Sequence, residues 1–281
     1  MDDRIFDREH LTLREFADFV GLPESTLRYY DRERVFHPNT AATGTRGQGR
    51  RYGSTQITSI NMIHVLTEIG VPLGTIRELA ETRTPEKSLK LLRKAKNEVD
   101  DKIGFYSDVN LLIDVYLGLL HDGICATEDE IAVTKMSAIQ IVMGDVNDYT
   151  DTVGFVREFT RFCRALREPR LNTCFPIGGY WESMDAFMDR PSQPERFFSL
   201  DPNGREQKTA GRYLVGYTRG YYGQTNGLPE RMRAYAEKKG AAFAGPVYNL
   251  YLFDELSIVD PQRYLMQSCV AVKEADRPYR R

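Results

Sequence analysis

The stretch LTLREFADFVGLPESTLRYYD, residues 11–31, decides the fold of the N-terminal part of the chain. Apolar side chains recur at helical spacing from Leu13 to Val20 and would share one helix face. Thr12, followed three residues later by Glu15, has the pattern of a capping box. The sequence therefore predicts a short helix that begins directly after Thr12.

A second short helix is predicted after a turn. Gly21 ends the first helix, because glycine adopts the left-handed conformation common at helix C-termini. Ser25 is the expected cap of the second helix, which would run through Asp31. Two short helices joined in this way predict a helix-turn-helix.

The stretch NTAATGTRGQGRRYG, residues 39–53, is rich in glycine and arginine and excludes a long helix. Between residues 25 and 60 there are six arginines and two acidic residues, a local balance of +4, although the whole chain carries −2. Arginine forks bind phosphate oxygens, and glycine lets a backbone approach them. This composition favours a basic hairpin wing; a mobile basic loop is the alternative.

Helices are next predicted at Thr55–Ile69 and Leu73–Glu81, followed by a long helix from Pro85 to Gly123. The long helix carries two rows of residues at heptad spacing, which we call the heptad rows. The first row is Leu89, Lys96, Ile103, Asn110 and Leu117, and the second is Leu92, Val99, Tyr106, Ile113 and Leu120. Nearly five heptads predict an intermolecular coiled coil. An amphipathic helix docked within one chain is the alternative.

The remaining sequence alternates between strand-like and helical patterns. The expected strands are Ser137–Met143, Tyr213–Tyr217, Val247–Phe253 and Tyr264–Val272, and the expected helices are Thr152–Leu166 and Leu228–Lys239. This order predicts an α+β domain in which an antiparallel sheet carries two helices. The expected organisation is a DNA-binding domain at residues 1–83, a dimerisation helix at 84–122 and a third domain at 123–281.

Composition limits the class of protein. With 41% hydrophobic and 28% charged residues, the chain should fold and bury a core. The charged N-terminus has no signal-like apolar segment, and no run approaches the roughly 18 apolar residues of a membrane span, so a cytoplasmic protein without membrane contact is expected. Its four cysteines, at 125, 163, 174 and 269, are scattered, which favours free thiols.

The motifs LRYYD at 27–31, FHP at 36–38 and RRY at 50–52 resemble the MerR family of bacterial regulators. With the long helix, the resemblance covers about residues 10 to 122. It implies DNA contacts from residues on both helices and the wing. These residues are Thr12, Arg14, Ser25, Thr26, Arg28, Tyr29, Arg46, Arg50, Arg51 and Tyr52. Family members usually carry a tyrosine at the position of Gly49, so it stays open whether Arg51 contacts DNA. For Tyr30 two roles stay open, packing in the domain core and contact with DNA.

The resemblance also implies a mechanism. Family members are homodimers that bind double-stranded promoter DNA with an overlong spacer and, with effector bound, distort it so that RNA polymerase can act. Metal-sensing members carry a cysteine at the start of the dimerisation helix, whereas this chain has none before Cys125. The clustered cysteines of an iron–sulfur sensor are absent as well. A small organic effector is therefore expected, with no metal and no cofactor.

The C-terminal part is similar to the GyrI-like effector-binding domain of multidrug-sensing family members, through GRY at 211–213 and GPVYNLY at 245–251. The similarity implies an aromatic cavity. Its expected residues are Tyr149, Tyr180, Trp181, Tyr213, Tyr217, Tyr248, Asn249, Tyr251 and Tyr264. Sheet core is the alternative role for each aromatic residue.

Asn249 stands where drug sensors carry a buried glutamate that counters a cationic ligand. Glu182, Asp185, Asp254 or Glu255 could supply that charge instead. Lipophilic cations are the leading ligand class, and neutral or amphoteric aromatic compounds remain open, as does a sensor of a single ligand.

Two rival functions remain. Some GyrI-like domains resemble hydrolases, and Tyr149, Trp181 and Glu182 could act in that way. No nucleophile and base stand at recognisable spacing, so no catalytic residue is assigned and a non-enzyme is expected. The other rival is a DNA-architectural protein that binds no ligand.

Overall fold

A computed structural model describes residues 10–39, 49–127, 129–150, 153–166 and 175–274. The chain divides into two compact units, an N-terminal unit of residues 1–103 and a C-terminal unit of residues 104–281. Predictions for the tip of the wing, Arg46 and Cys174 lie outside the described residues.

The N-terminal unit contains small helices and a two-stranded sheet. Its elements are β1 (His10–Thr12), α1 (Leu13–Val20), α2 (Glu24–Arg32), β2 (Arg51–Gly53), α3 (Ile57–Glu68), α4 (Leu73–Glu81) and the first part of α5 (Pro85–Cys125). A turn of 3₁₀ helix at Ser54–Gln56 precedes α3. The predicted succession of helices is confirmed.

The capping box of α1 is present in full. The Thr12 hydroxyl accepts a hydrogen bond from the Glu15 backbone N–H at 3.3 Å, and the Glu15 carboxylate accepts one from the Thr12 N–H at 2.8 Å. Gly21 ends the helix at φ 70°, a left-handed conformation that favours glycine. The predicted first helix is thus confirmed residue by residue.

The start of α2 corrects one prediction. Ser25 is not the cap, because the helix begins at Glu24 and its N-cap is Pro23, without a side-chain hydrogen bond. The carbonyl of Pro23 accepts bonds from the N–H groups of Thr26 at 3.0 Å and Leu27 at 3.3 Å. The N–H group of Thr26 is thus already bonded to the backbone, so the helix start needs no serine cap.

Helix α5 contributes a few residues to the cores and leaves most of its surface open. In the N-terminal unit it buries Leu91 and Ala95, and in the C-terminal unit Leu119. Of the ten residues in the heptad rows, eight are exposed, and Val99 and Leu120 are half-buried.

One 18-residue window of α5 is long and apolar enough to cross a membrane by length and composition alone, which the sequence analysis did not anticipate. One such helix is weak evidence for a membrane span. The exposed apolar residues follow the heptad rows, whereas Asp108 and Asp114 interrupt the same part of the helix.

The C-terminal unit is built on one antiparallel sheet with helices on it. Its elements after α5 are β3 (Ile131–Met136), β4 (Ile139–Met143), α6 (Gly154–Ala165), β5 (Ile177–Trp181), α7 (Met184–Asp189), β6 (Arg196–Ser199), β7 (Glu206–Lys208), β8 (Gly211–Arg219), α8 (Leu228–Lys239), β9 (Ala241–Phe253) and β10 (Leu265–Glu274). The strand order is β3-β8-β10-β9-β5-β6-β4-β7, and neighbouring strands are antiparallel.

This sheet confirms the predicted fold class, with additions. The predicted strands correspond to β4, β8, β9 and β10, and the predicted helices to α6 and α8. Strands β3, β5, β6 and β7 and helix α7 were not predicted.

The two faces of the sheet have different surroundings. On one face, which we call the helix face, Trp181 and Val247 pack in a core with Leu228 and Met232 of α8. On the opposite face, Tyr180 and Tyr248 pack with the end of α5. Side chains alternate along a strand, so neighbours in sequence belong to different cores.

Candidate functional site

Helix α2 presents a polar face to solvent. Arg28 and Tyr29 are exposed, with 39% exposure for the tyrosine, while Leu27 and Tyr30 are buried on the other face. Ser25 and Arg14 are exposed, and Thr12 and Thr26 are half-buried. The predicted contact residues on α1 and α2 are therefore accessible to solvent, in part only for the two threonines.

Tyr30 belongs to the core. It is 4% exposed, and its hydroxyl forms a hydrogen bond with Thr67 Oγ1 at 2.8 Å, where either oxygen can donate. His64 Nδ1 lies 3.3 Å from the same hydroxyl. This decides the open question in favour of core packing, because the side chain ties α2 to α3.

Acidic partners hold the basic side chains of this surface. Arg28 forms an exposed ion pair of 3.0 Å with Glu24, one helical turn earlier. Asp31, at the end of α2, lies 3.2 Å from the Arg50 guanidinium and 2.8 Å from the His37 ring. Asp31 therefore links the end of α2 to the C-terminal side of the wing.

Tyr52 requires a correction. It was expected to bind phosphate, yet it is fully buried between the rings of Phe16 at 4.7 Å and Phe36 at 5.9 Å. Strand pairing of Tyr52 with Leu11 turns the ring into the core, and burial raises the pKa of its phenol. Arg50 and Arg51, the two residues before it in the chain, stay half-exposed.

The C-terminal unit contains a cavity of about 580 Å³ on the helix face of the sheet. Its walls are mainly apolar and aromatic. They include Tyr116, Phe155, Phe159, Phe175, Phe197, Trp181, Tyr221, Tyr222 and Tyr251. A volume of this size is typical of sites for small organic ligands.

Helix α6 supplies one aromatic wall. The rings of Phe155 and Phe159 lie 6.2 Å apart and nearly parallel, since positions four apart share a helix face. The Phe197 ring of β6 meets each of them edge-on at 5.5 Å. Phe155 and Phe159 stay 36% and 37% exposed, so their faces are available to a ligand.

Strands β5 and β9 form the floor. Trp181 is 2% exposed, packs on Phe187 at 4.7 Å and donates from Nε1 to the Arg190 carbonyl at 2.9 Å. The Tyr251 hydroxyl donates to the Tyr221 carbonyl at 3.1 Å and accepts from a backbone N–H. Burial raises the pKa of Tyr251 to about 12.

The floor also contains Asn249, which is buried and pairs with Gly179 across the sheet. Among the residues that the structure describes, its side-chain carbonyl oxygen has no hydrogen-bond partner, and neither has the Ser268 hydroxyl opposite it on β10. A buried polar atom of this kind costs free energy until it is satisfied.

One end of the cavity is acidic. The charged residues among its described lining are Asp254 and Glu255, in the turn after β9. Burial raises the pKa of the Asp254 carboxyl, and the Glu255 charge adds to this effect. The Tyr222 hydroxyl donates a hydrogen bond to Glu255, and burial together with that contact raises the pKa of Tyr222.

The predicted ligand residues divide between the two faces of the sheet. Trp181, Asn249 and Tyr251 line the cavity. Tyr180, Tyr213, Tyr217 and Tyr248 pack in the cores of the opposite face. Tyr149 donates to the Pro194 carbonyl at 2.7 Å, and burial raises its pKa to about 12. Tyr264 contacts Tyr222 at 5.5 Å but is not part of the lining.

Tyr213 already contacts a cation of the protein itself. The ammonium group of Lys208 lies 4.1 Å from the centre of the Tyr213 ring. Lys208 is 5% exposed, and burial lowers its pKa. This internal contact, together with burial, keeps the Tyr213 ring from a ligand.

Of the four acids considered as counter-charges, Asp254 and Glu255 line the cavity and the other two do not. Asp185 forms an ion pair with Arg233 of α8 instead. The sequence analysis missed the α6 wall and the pair Tyr221 and Tyr222. Spacing of Phe155 and Phe159 by four within a predicted helix was a usable signal, whereas nothing local marked the two tyrosines in their loop.

Comparison with known protein families identifies the class of the N-terminal domain. Residues 11–82 match the model of the MerR HTH family regulatory proteins, the segment that forms the N-terminal unit up to α4. The chain therefore carries a MerR-type helix-turn-helix domain in this segment.

The similarity to one characterised protein extends over nearly the whole chain. Over 274 residues, 95% of this chain and 98% of the relative, the chain is 22% identical to the multidrug-efflux transporter 2 regulator of Bacillus subtilis (strain 168). Among solved structures, EcmrR in a DNA complex is similar over 94% of this chain and 100% of that one, with 14% identity and a TM-score of 0.39. A hydrolase from Listeria innocua is similar over 54% of this chain and 96% of that one, with 12% identity and a TM-score of 0.34.

Proposed function

We propose that this protein is a cytoplasmic, homodimeric transcription activator that binds promoter DNA through α2 and the wing and responds to a lipophilic organic cation in the cavity of its C-terminal unit. The cavity carries the proposal. It combines aromatic walls with charged lining residues that are both acidic, Asp254 and Glu255.

The DNA-binding part of the proposal rests on α2. Its exposed face offers Arg28 and Tyr29, and Arg50 stands at the end of the wing. Ser25, Thr26, Thr12 and Arg14 would complete the contacts, with α2 in the major groove and the arginines on base edges or phosphates. Arg51 and Arg46 would add charge on the wing.

The homodimer is supported by the heptad rows of α5. Ile103, Ile113 and Leu117 are more than half exposed in the single chain. A second copy of α5 would bury these rows in a coiled coil, which accounts for an apolar stripe on a helix of 41 residues.

The ligand class follows from the chemistry of the cavity. Aromatic faces such as Phe155 and Tyr222 attract a flat cation, and a carboxylate in a partly desolvated site stabilises the positive charge. Asp254 and Glu255, directly after β9, would supply the negative charge. Position 249 would not supply it, because Asn249 has a neutral amide. Similarity to a regulator of a multidrug-efflux transporter agrees with this class.

Activation would follow the mechanism implied by the family resemblance. The dimer would hold a promoter with an overlong spacer, and effector binding would shift the DNA to a conformation that RNA polymerase can open. Such a shift requires that the effector bind the activating conformation more tightly than the resting one.

The test uses the single tryptophan of the chain, Trp181, which lines the cavity. Its fluorescence is titrated with planar cations, neutral aromatic compounds and anions, and run-off transcription from the promoter preceding the protein's own coding sequence is measured with each. Quenching by several cations with increased transcript is expected. Quenching by neutral compounds or anions alone would refute the cationic class, and transcript that no quenching compound changes would refute the activator.

A further inference from the structure

Tyr222 lines the cavity from the loop between β8 and α8, and this loop is fastened on both sides of it. Gly220 and Gly223 flank the tyrosine pair with φ values of 152° and 82°, in the region that favours glycine. The Gly220 N–H donates to the carbonyl of Tyr264, directly before β10, and the Gly223 N–H donates to the Tyr251 hydroxyl of β9, each at 3.0 Å. The sheet therefore determines where the loop places Tyr222.

The ring of Tyr222 packs among other tyrosine rings. It meets the Tyr251 ring at 4.7 Å and the Tyr264 ring at 5.5 Å, both edge-on. Its exposed fraction is still 37%, so part of the ring is open to a ligand. From this position its hydroxyl donates a hydrogen bond to the Glu255 carboxylate, which belongs to the turn after β9. The bond thus joins two separate turns that both line the cavity.

The two acids of the cavity are held in different ways. The Asp254 carboxylate accepts a hydrogen bond of 3.0 Å from the Leu256 backbone N–H, within its own turn. Glu255 is exposed, and among the described residues its carboxylate accepts a hydrogen bond from Tyr222. An exposed glutamate loses side-chain entropy when a ligand fixes it. A bond that is present before the ligand arrives removes part of that cost.

The hydrogen bond from Tyr222 leaves the Glu255 carboxylate able to receive a cation. A carboxylate has about four acceptor positions, and the hydroxyl uses one of them. Burial, followed by the contact with Glu255, raises the pKa of Tyr222, so its hydroxyl keeps its proton at neutral pH and acts as the donor. The partly exposed ring can contact the same cation through its face.

We infer that Tyr222 is a positioning residue of the cation site, whose hydroxyl holds the Glu255 carboxylate at the cavity so that it compensates a bound positive charge. This inference rests on the proposed function and deepens it. It makes the preference for cations depend on a pair of side chains from two turns that are distant in the sequence. Without the hydroxyl, Glu255 would be a solvated surface charge and would attract a cation less.

The test compares two compounds of the same shape that differ in charge, the 1-methylquinolinium cation and neutral 1-methylnaphthalene. Calorimetry on the full-length protein measures both dissociation constants, and the constant for the neutral compound divided by that for the cation gives the charge ratio. A residue that only shapes the aromatic wall affects both compounds alike and leaves the charge ratio unchanged. In the wild type this ratio should be well above one, because the acids of the cavity compensate the charge.

Three variants and one control locate the preference. Tyr222→Phe keeps the ring and should lower the charge ratio about fivefold, the size of a partly exposed charged contact. In a Glu255→Gln background it should lower the ratio no further, because the hydroxyl acts through that carboxylate. Glu255→Asp keeps the charge but is shorter by one methylene group, and it should lower the ratio as well. Tyr213→Phe, which removes a hydroxyl on the opposite face of the sheet, should keep the wild-type ratio.

The outcomes separate this inference from the proposed function. A wild-type charge ratio of one or less would contradict the cation site and the role of Tyr222 together. A ratio well above one that Tyr222→Phe leaves unchanged, or lowers equally in the Glu255→Gln background, would overturn the role of Tyr222 while the cation site stands. Where Tyr222→Phe does not fold, a wild-type ratio in Glu255→Asp would overturn that role in its place.

Discussion

Asp31 and Arg50 form an ion pair of 3.2 Å that joins the end of helix α2 to the residues preceding β2. Both partners are partly exposed, at 18% and 40%, so the pair itself adds little to stability. Its effect is on geometry. The pair holds Arg50 beside α2, and in the proposed DNA complex this arrangement would lower the entropy cost of placing the guanidinium on a phosphate.

We expect Arg28→Ala and Arg50→Ala each to weaken binding to DNA from the promoter region preceding the protein's own coding sequence, by about tenfold at moderate salt. Each arginine that contacts a phosphate releases a counterion, so the dependence of affinity on salt should also fall by about one unit of slope per variant. Fluorescence anisotropy over a range of salt concentrations measures both effects.

The matched control for these variants is Arg233→Ala, whose arginine pairs with Asp185 in the C-terminal unit. It should leave both affinity and salt slope unchanged. Unchanged DNA binding in both Arg28→Ala and Arg50→Ala would remove α2 and the wing from the proposed DNA interface.

The second prediction concerns the dimer. Ile113→Lys places a charge in the heptad rows, where the isoleucine is 51% exposed in the single chain. In a coiled coil this loses buried apolar contact in both helices, a cost of about 3 kcal/mol or roughly a hundredfold in the dimer dissociation constant. Sedimentation equilibrium measures the change.

Asp101→Lys introduces the same residue type outside the heptad rows and should leave the dimer intact. A wild-type protein that sediments as a monomer, or an Ile113→Lys variant with unchanged association, would contradict the coiled coil and favour the docked helix.

The local parts of the fold could be predicted because short-range chemistry determines them. Thr12, Glu15 and Gly21 define α1 by hydrogen bonds within one helical turn, and the structure has each of them as expected. The prediction that Ser25 caps α2 was wrong. A serine near a helix start resembles a cap, but the helix begins one residue earlier and its N-cap is Pro23.

The cavity could be predicted only in part, since it depends on which face of the sheet the helices cover. Tyr180 and Trp181 are adjacent in sequence and lie on opposite faces, and the pattern of aromatic residues is the same on both. Strand β5 contains two glycines and does not resemble a strand, so its register with β9 was not available from sequence. The burial of Lys208 likewise depends on a long-range pairing, that of β7 with β4, in which Lys208 lies opposite Ile139.

The third prediction distinguishes the aromatic residues that line the cavity from those on the opposite face of the sheet. Phe155→Ala and Phe159→Ala remove ring faces from the cavity wall and should each weaken binding of a planar cation by about tenfold, as expected for a lost cation–π contact and buried area. Tyr213→Phe, on the opposite face, should change affinity less than twofold. Calorimetry measures these affinities, and the reverse order would place the site on the opposite face.

The fourth prediction concerns alkaline unfolding. Tyr149 and Tyr251 have pKa values raised to about 12 by burial, whereas an unfolded tyrosine ionises near pH 10. The unfolded chain therefore loses these protons first, and the stability that the tyrosines contribute is complete below about pH 10 and lost as the pH rises through about 12. The loss is of the order of 2 kcal/mol for each tyrosine.

Lys208 affects the free energy of unfolding in the opposite direction. Its pKa is lowered on folding, so its proton loss stabilises the folded protein as the pH rises, and this gain is complete above the ordinary lysine pKa of about 10.5. Urea unfolding followed by circular dichroism should thus show a free energy of unfolding that declines above that pH. Tyr149→Phe should make the decline shallower. A decline of the same steepness in that variant would show that Tyr149 is not responsible.

The fifth prediction concerns pH and the binding of tetraphenylphosphonium, a cation that does not titrate. Burial raises the pKa of the Asp254 carboxyl above its ordinary value, and a bound cation favours the ionised form. Affinity should therefore be constant above that raised pKa and fall as the pH drops through it, by up to tenfold per pH unit, because the site must lose a proton before it attracts the cation.

Asp254→Asn should bind more weakly at neutral pH and lose this part of the pH dependence. Glu182→Gln, which removes an acid outside the cavity lining, is the control and should titrate as the wild type. An affinity in the wild type that rises on acidification would contradict an acidic cation site at this end of the cavity.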